Sequence, residues 1–284
     1  MAKSLTDNIR YREMEVEEGT FLPEIGIDYP EDDPFARVVK KKPDVRQVAF
    51  DDTYPYLDDS WESRKEHFKC YAGLYLFAFY LNKFRYGLKV RGRGKIRRYR
   101  RLFKDGAMTV CNHVYRWDYV SILYAIRYRR LWAPMLAAHF RGSDAWFMRN
   151  IGGIPIPEER SGLRRFDEAF DELHRRKQWI HVFPESCRWD FYAPVRPFKP
   201  GAFNMAYKYG LPVIPLVISY RKRTGIYKLF DKPEVPLVTI SVGDPIIPDT
   251  AAPRKAEIAR IGHEARECMI RMAGIKKNTW PETI

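Results

Sequence analysis

No stretch of the chain reaches the roughly 18 uninterrupted apolar residues that a membrane-spanning helix requires. The nearest approach is CYAGLYLFAFYLN at residues 70–82, which carries five aromatic side chains and lies between Lys69 and Lys83. The segment is too short to span a bilayer. It is typical of a helix in the membrane interface, where Tyr and Phe settle and flanking lysines extend to water. We therefore predict an N-terminal interfacial helix, with an ordinary buried helix as the alternative.

Cysteine is scarce, and its spacing excludes two classes of site. The four cysteines, at positions 70, 111, 187 and 268, match neither a CxxC metal pattern nor a disulfide framework. The sequence also begins without the apolar core of a secretory signal. We expect reduced thiols in a cytosolic setting and no metal site.

Charge is distributed unevenly along the chain. The net charge is +14, but residues 1–66 carry −7 and the remainder +21. A basic body favours an anionic partner, which could be nucleic acid, an anionic membrane or a phosphate-rich substrate. No recognition helix or RNA-binding signature is present, so we expect no nucleic-acid partner. The run at residues 85–101 has nine Lys/Arg and no acid, which favours anionic lipid.

The chain divides into three parts. Residues 1–60 are rich in Pro and Asp and predict an irregular, partly disordered acidic leader. Residues 61–105 combine the aromatic helix with the basic run, and residues 106–284 form the main domain. There, apolar runs alternate with helical patterns, which predicts an α/β fold with a mostly parallel central sheet flanked by helices. Predicted strands cover 107–111, 133–138, 153–156, 178–184, 212–219 and 234–243, and predicted helices cover 118–130, 143–150, 163–176, 201–210 and 253–274.

A histidine and a carboxylate meet at one predicted strand end. His113 follows strand 107–111, and Asp118 lies in the first turn of the next helix, where the helix dipole favours a carboxylate. Chemistry gathers at strand C-terminal ends in such sheets. Asp118 could orient the imidazole so that its other nitrogen faces a substrate. With no Ser or Cys nucleophile evident, the pair indicates a general base acting on a substrate hydroxyl. The alternative is a core histidine with a capping aspartate.

Two further stretches predict an anion site at the same edge. HVFPESCRWD, residues 181–190, ends a strand and presents Glu185 and Arg188, and arginine suits phosphate. RPFKPGAFNMA, residues 196–206, is a basic turn that carries Lys199 and opens a helix at Gly201, and a helix start can hold an anion. An ordinary surface ion pair is the alternative for Glu185 and Arg188.

Together these stretches resemble the lysophospholipid acyltransferase family, the bacterial 1-acylglycerol-3-phosphate acyltransferases in particular. NHVYRWD (112–118) matches the family's NHxxxxD block, GGIPI (152–156) its glycine-led second block, and FPESCR (183–188) its FPEGxR block. RPFKPGA (196–202) and LPVIPLVI (211–218) match the approach to its proline-containing fourth block, and ISVGDPI (240–246) a short sheet segment near its end. The blocks come in family order, and the resemblance covers roughly residues 85–270.

The resemblance implies acyl transfer from acyl-CoA or acyl carrier protein to the free hydroxyl of lysophosphatidic acid, with no metal or bound cofactor. His113 would be the base and Asp118 its partner. It also implies a site at the cytoplasmic face of the cell membrane, held by a peripheral or monotopic association with membrane lipids. The implied substrate-binding residues are Asn112, Arg116, Gly153, Arg160, Glu185, Arg188, Lys199 and Gly201.

Two departures from the family pattern leave alternatives open. Glu158 stands where the second block usually has a phosphate-binding arginine, so we expect Glu158 to face solvent and Arg160 or Arg164 to take the phosphate. Otherwise the acceptor is another lyso-lipid, such as a lyso-glycolipid, a lyso-aminolipid or another lyso-phospholipid. Ser186 replaces the third-block glycine, which restricts the backbone if φ is positive there. A nucleic-acid-binding protein and a catalytically silent lipid-binding relative are more distant alternatives.

Overall fold

A central sheet and the helices that cover it make up most of the molecule. The computed structural model describes residues 13–30, 32–39, 44–127 and 129–281. Within these ranges the strands are β1 (Glu15–Val16), β2 (Lys89–Arg91), β3 (Ala107–Cys111), β4 (Leu131–Leu136), β5 (Gly153–Ile156), β6 (Trp179–Val182), β7 (Val213–Arg221), β8 (Leu237–Val242) and β9 (Ile275–Lys277).

Helices cover both faces of the sheet, and short irregular turns connect several elements. In the same ranges the α-helices are α1 (Trp61–Tyr80), α2 (Gly94–Arg98), α3 (Asp118–Ala125), α4 (Ala145–Asn150), α5 (Arg160–Arg175), α6 (Gly201–Tyr209) and α7 (Arg254–Met272). A π-helical turn at Leu81–Arg85 continues α1, and 3₁₀ turns lie at Ala137–Phe140 and Gly225–Leu229.

The main sheet has the order β2-β8-β7-β3-β6-β4-β5. All its neighbouring strands are parallel except β7 and β8, which are antiparallel. Along β3, Ala107 and Cys111 pack into one apolar cluster, while Met108 and Val110 pack into another. Because alternate residues of a strand face opposite sides, the sheet lies between two cores. The predicted mostly parallel sheet flanked by helices is confirmed.

Element boundaries follow the predictions most closely where apolar runs are bounded on both sides. β3 and β5 have the predicted limits. β4 begins at Leu131, two residues earlier than predicted, because Leu131 and Trp132 pair with β6. α3 ends at Ala125 rather than at residue 130, since Arg127 adopts φ 66°, a left-handed value that a helix cannot continue through. Residue 128 of the predicted helix lies outside the described residues.

The described part of the acidic leader packs against the main domain although it has almost no regular structure. Its strand β1 pairs with β9 near the other end of the chain. Phe50 and Tyr56 are buried, and the backbone of the segment is tied to Arg141, whose Nε donates to the Val48 carbonyl at 3.0 Å. Residues 1–12, 31 and 40–43 of the predicted leader lie outside the described residues.

α1 is apolar on two faces. Cys70, Leu74 and Ala78 form a buried stripe at helical spacing. The rest of the helix surface exposes further large apolar side chains, which are Phe68, Tyr75, Leu76, Phe79 and Tyr80, and Phe77 beside the buried stripe is also partly exposed. Within the described ranges, no helix combines the length and the apolar composition needed to cross a membrane. A solvent-facing apolar face of this size is typical of an interaction surface.

The reversed direction of β8 divides the basic run between two edges of the sheet. β2 is parallel to β8, which is antiparallel to β7, and β7 is parallel to β3. β2 therefore runs opposite to β3, and its C-terminal end lies at the edge remote from His113. The arginines of α2 and the turn after it, residues 97–101, lie at that remote edge. Only the first part of the run, near Arg85, lies at the same edge as His113.

Candidate active site

His113 and Asp118 form a hydrogen-bonded pair in the loop between β3 and α3. His113 Nδ1 lies 2.6 Å from Asp118 Oδ2. The buried Asp118 also accepts hydrogen bonds from the backbone N–H groups of Val114 at 3.1 Å and Tyr119 at 2.7 Å. Because Nδ1 faces a carboxylate, it carries the proton of the neutral ring, and Nε2 keeps its lone pair.

Aromatic packing fixes the plane of the His113 imidazole. The rings of His113 and Phe183 stack with centroids 4.1 Å apart and an angle of 16° between their planes. Phe183 in turn lies edge-on to His181, with centroids 4.4 Å apart. Burial, followed by the nearby His113, lowers the pKa of His181 to about 3. The second histidine is therefore uncharged at neutral pH and adds no positive charge beside the first.

A buried ion pair holds the backbone of the histidine loop. Glu185 and Arg196 are both fully buried, and Glu185 Oε2 lies 2.9 Å from Arg196 Nη2. The same Oε2 accepts a hydrogen bond from the His113 N–H at 3.0 Å, and Oε1 accepts one from the Arg196 N–H at 2.9 Å. The guanidinium also stacks on Trp189, with its carbon 4.4 Å from the ring centroid. This pair therefore links the loop after β6 to the loop that carries the base.

The turn that follows β6 is strained at one residue. Ser186 has φ 61°, and its N–H donates to the Phe183 carbonyl at 3.0 Å. A left-handed φ favours glycine, which is the residue the family pattern has at this position. The structure thus meets the condition under which Ser186 was expected to restrict the backbone.

His113 opens onto a cavity of about 600 Å³, a volume typical of small-molecule sites. One wall is the inner side of α1, which contributes Cys70, Gly73, Leu74 and Phe77. Further apolar lining residues come from the neighbouring loops and α4, namely Trp117, Leu136, Ala138, Trp146, Phe147 and Met148. An apolar cavity beside a general base can accept a hydrocarbon chain and place its reactive end against the imidazole.

Permanent cations also line this cavity, and most of them face a carboxylate. Lys69 Nζ lies 2.6 Å from Glu66, and Arg188 Nε lies 2.8 Å from Asp190. Burial raises the pKa of Asp190, although Arg188 opposes the shift. Two more lining arginines, Arg37 and Arg116, complete the set, and Arg116 Nη2 lies 3.8 Å from Asp144. The cavity therefore combines an apolar wall with a positive rim.

The structure brings four of the sequence-predicted residues together. His113, Arg116 and Arg188 line the cavity, and Asp118 lies directly behind the imidazole.

Asn112 and Glu185, predicted to bind substrate, instead hold the scaffold, and this is a correction. Asn112 is fully buried; its Nδ2 donates to the Ile218 carbonyl at 3.0 Å, and its Oδ1 accepts from the Ile218 N–H at 2.8 Å. The Asn112 side chain thus continues the hydrogen bonding between β3 and β7 beyond Cys111, the last residue of β3. Both carboxylate oxygens of Glu185 accept hydrogen bonds from within the protein, from Arg196 and from the His113 N–H.

Gly153, Arg160, Lys199 and Gly201 are not among the residues that line the cavity, and their contact with substrate stays a prediction. A side chain at Gly153 would place its Cβ 2.5 Å from the Met148 carbonyl oxygen, so this glycine serves close packing. Arg160 is exposed at the start of α5, and Lys199 Nζ lies 5.0 Å from the ring centroid of Phe35. Gly201 is exposed at the start of α6.

The acidic residue at the usual arginine position does not face the cavity. Glu158 Oε2 lies 2.7 Å from Arg141 Nη2, and the Glu158 side chain is 56% exposed. Arg164 is also exposed and lies 3.7 Å from Glu168. Neither Arg160 nor Arg164 is placed to receive a phosphate in the cavity. The expectation that Glu158 turns away is consistent with the structure, whereas the positions of Arg160 and Arg164 give no support to the replacement we predicted for it.

Sequence reasoning missed three residues that shape the site: Arg37, Phe183 and Arg196. Phe183 and Arg196 lie inside stretches that were singled out, where a phenylalanine beside a strand end and an arginine before a proline could have been considered. Arg37 lies in the leader, and no local pattern there connects it with His113.

Comparisons with known proteins indicate which proteins this chain resembles. Residues 87–219 match the family model described as Acyltransferase. The structure is similar to that of the 1-acyl-sn-glycerophosphate (LPA) acyltransferase PlsC from Thermotoga maritima, with a TM-score of 0.50 and 19% sequence identity, over 77% of this chain and 83% of that chain. Among curated proteins, the comparison finds no match. The matched region and the shared fold confirm the resemblance to the lysophospholipid acyltransferases, and residues 87–219 form an acyltransferase-like domain.

Proposed function

We propose that the protein transfers a fatty acyl group from acyl-CoA or acyl carrier protein to the free hydroxyl of lysophosphatidic acid, giving phosphatidic acid in phospholipid biosynthesis. The observation that carries the proposal is the His113–Asp118 pair, 2.6 Å apart, at a cavity with an apolar wall and a positive rim. The apolar wall suits acyl chains, and the rim suits the phosphate of the acceptor or the donor.

The reaction needs one base and no covalent enzyme intermediate. The oxygen of the acceptor hydroxyl attacks the thioester carbonyl carbon, and His113 Nε2 takes the hydroxyl proton as it does so. Asp118 stabilises the imidazolium that forms. The tetrahedral intermediate then collapses, the carbon–sulfur bond breaks, and the thiolate takes the proton back from His113. An ester and a free thiol result, and the base is regenerated.

An acyl-transfer assay across a panel of lyso-lipids, with both donor types, tests this proposal. The panel contains lysophosphatidic acid, another lyso-phospholipid, a lyso-glycolipid and a lyso-aminolipid. We expect fastest transfer to lysophosphatidic acid. Transfer only to a different lyso-lipid would replace the acceptor and keep the reaction type. No transfer to any acceptor, together with salt-sensitive binding to oligonucleotides, would favour the nucleic-acid alternative.

We also propose that the enzyme works as a peripheral or monotopic protein at the cytoplasmic face of the cell membrane. The exposed apolar face of α1 continues to Phe84, whose ring centroid is 6.1 Å from that of Phe79 and 5.4 Å from that of Phe230. The adjoining turn Gly225–Leu229 exposes Ile226 and Leu229. This turn joins β7 to β8 and therefore lies at the edge of His113. A lipid bilayer is the partner that fits, because the lyso-lipid and the acyl chain dissolve there and α1 also forms a wall of the cavity.

The membrane proposal predicts a loss of vesicle binding on substitution of the apolar turn. Full burial of one Leu or Ile contributes about 1.5–3 kcal/mol, so Ile226→Glu and Leu229→Glu should each weaken partitioning about tenfold or more. Sedimentation with vesicles of neutral and anionic phospholipid measures the effect. Leu102→Glu is the matched control, because Leu102 is exposed at the opposite edge. Equal loss in all three variants would contradict the assigned surface.

A further inference from the structure

We propose that Arg37, in the leader, binds a phosphate group of a substrate in the cavity. The inference rests on the proposed acyl transfer and names the residue that binds phosphate. Helix α5 does not supply this residue, because Arg160 and Arg164 do not line the cavity. Arg37 lies outside residues 87–219, the region matched by the acyltransferase family model. The leader would thus add a recognition element to the domain that performs the chemistry.

Buried groups of the active-site loop hold the leader in place. Arg196 Nη1 donates to the Pro34 carbonyl at 2.8 Å, and Trp189 Nε1 donates to the Ala36 carbonyl at 2.8 Å. Arg196 and Trp189 are themselves fully buried. The leader backbone on the N-terminal side of Arg37 is therefore bound to the same ion-pair cluster that holds the backbone of the catalytic histidine.

An aromatic contact secures the segment a second time. The ring of Tyr29 stacks on Trp189 with centroids 5.1 Å apart and 20° between the planes. Closer to Arg37, Cys187 Sγ lies 3.3 Å from the Phe35 carbonyl oxygen. The leader is thus fixed to the loop on both sides of Pro34, and Arg37 directly follows Ala36, the last residue held by these contacts.

Arg37 differs from the other cations of the cavity in its partners. Lys69, Arg188 and Arg116 each have an acidic side chain within 4 Å. Among the described residues, Arg37 has no carboxylate partner, and its side chain is exposed to the cavity. A guanidinium without a competing carboxylate is best suited to bind an incoming phosphate with two parallel hydrogen bonds.

The charges around Arg37 converge on one part of the cavity. Partial burial and then the positive groups His113, Arg37 and Arg188 lower the pKa of His139, while Asp144 opposes the shift. His139 lines the cavity with all four of these groups. A phosphate bound by Arg37 would therefore lie in a positive region near the base, where either the acceptor phosphate or the phosphates of coenzyme A could be held.

Steady-state kinetics of full-length Arg37→Ala test the assignment. We expect the KM of the phosphate-bearing substrate to rise at least tenfold, with a smaller change in kcat. Arg37→Lys should recover part of the loss, since it keeps the charge but not the fork. Arg97→Ala is the matched control, because it removes an exposed arginine at the remote edge of the sheet.

Paired substrates identify which phosphate Arg37 binds. On the acceptor side, lysophosphatidic acid is compared with the monoacylglycerol of the same chain; on the donor side, acyl-CoA is compared with acyl-pantetheine. A KM rise confined to lysophosphatidic acid assigns the acceptor phosphate, and one confined to acyl-CoA assigns the donor. Unchanged KM values for both phosphate-bearing substrates would overturn the inference and leave the acyl transfer standing.

A binding measurement separates the two proposals. Calorimetric titration of lysophosphatidic acid and of coenzyme A into wild type and Arg37→Ala requires no turnover. If the wild-type protein transfers no acyl group, the proposed function fails, and at least tenfold weaker binding of either ligand to Arg37→Ala would still support the phosphate site. Equal binding to both proteins would reject it.

Discussion

Replacing His113 with alanine is expected to lower kcat by about 10²–10⁴-fold, the range that a positioned general base contributes. The side chain is quarter-exposed and lies on the cavity wall, so its removal leaves the core intact. Single-turnover acyl transfer measures the rate, and circular dichroism with thermal unfolding verifies the fold. A folded His113→Ala protein with wild-type rates would eliminate the proposed mechanism.

Asp118→Asn is the companion to this experiment. The amide keeps the size of the carboxylate but not its charge, and it can present an N–H where His113 Nδ1–H needs an acceptor. The imidazole then loses its fixed tautomer and the group that stabilises its charged form. We expect a loss of about 10²-fold or more in kcat with little change in KM. A change confined to KM would assign Asp118 to substrate binding instead.

The hydrogen-bonded pair of His113 and Asp118 could be predicted because its geometry is local. His113 and Asp118 are five residues apart, between a strand end and a helix start, and the turn between them brings the two side chains together almost without regard to the rest of the fold. Strand β3 and strand β5 could be predicted for a similar reason, since each is an apolar run bounded by residues that end it. The alternation of such runs with amphipathic segments then indicated the parallel sheet.

The rest of the site could not be predicted because it depends on contacts between distant residues. Arg196 lies 11 residues from Glu185 and 162 from Pro34, and periodicity carries no information about such pairings. Asn112 was misassigned for the same reason, because its amide pairs with Ile218, 106 residues away. The polarity of a side chain predicts that it needs partners but does not say whether these are substrate or backbone.

The directions of strands β8 and β2 decide where the basic run lies, and these directions could not be predicted from the sequence. A run of basic residues beside an aromatic helix predicts one membrane-facing surface, but the antiparallel pairing of β7 with β8 sends β2 away from the catalytic edge. The three-residue β2 is too short for its pairing to be evident in the sequence. The exposed turn with Ile226 and Leu229 joins the antiparallel strands β7 and β8 and therefore lies at the same edge as His113. Nothing in the composition of this turn alone indicated that position.

Arg196→Met is expected to lower the free energy of unfolding by about 3–5 kcal/mol, the cost of leaving one member of a buried ion pair without its partner. Met retains much of the apolar volume against Trp189, so the effect reports chiefly on the charge. Glu185 would remain buried with only the two backbone N–H groups of His113 and residue 196 as donors. Urea-induced unfolding, followed by tryptophan fluorescence, measures the change.

The double variant Glu185→Gln/Arg196→Met distinguishes the ion pair from simple packing. If the uncompensated carboxylate causes the loss, neutralising it should recover part of the stability, so the double variant should be more stable than Arg196→Met alone. The exposed pair of Arg164 and Glu168 is the control, and Arg164→Met should change the free energy of unfolding by less than about 1 kcal/mol. Additive losses at Glu185 and Arg196 would assign the stability to packing. A coupled loss would show that the charge pair holding the His113 backbone is itself a principal stabilising contact of the loop after β6.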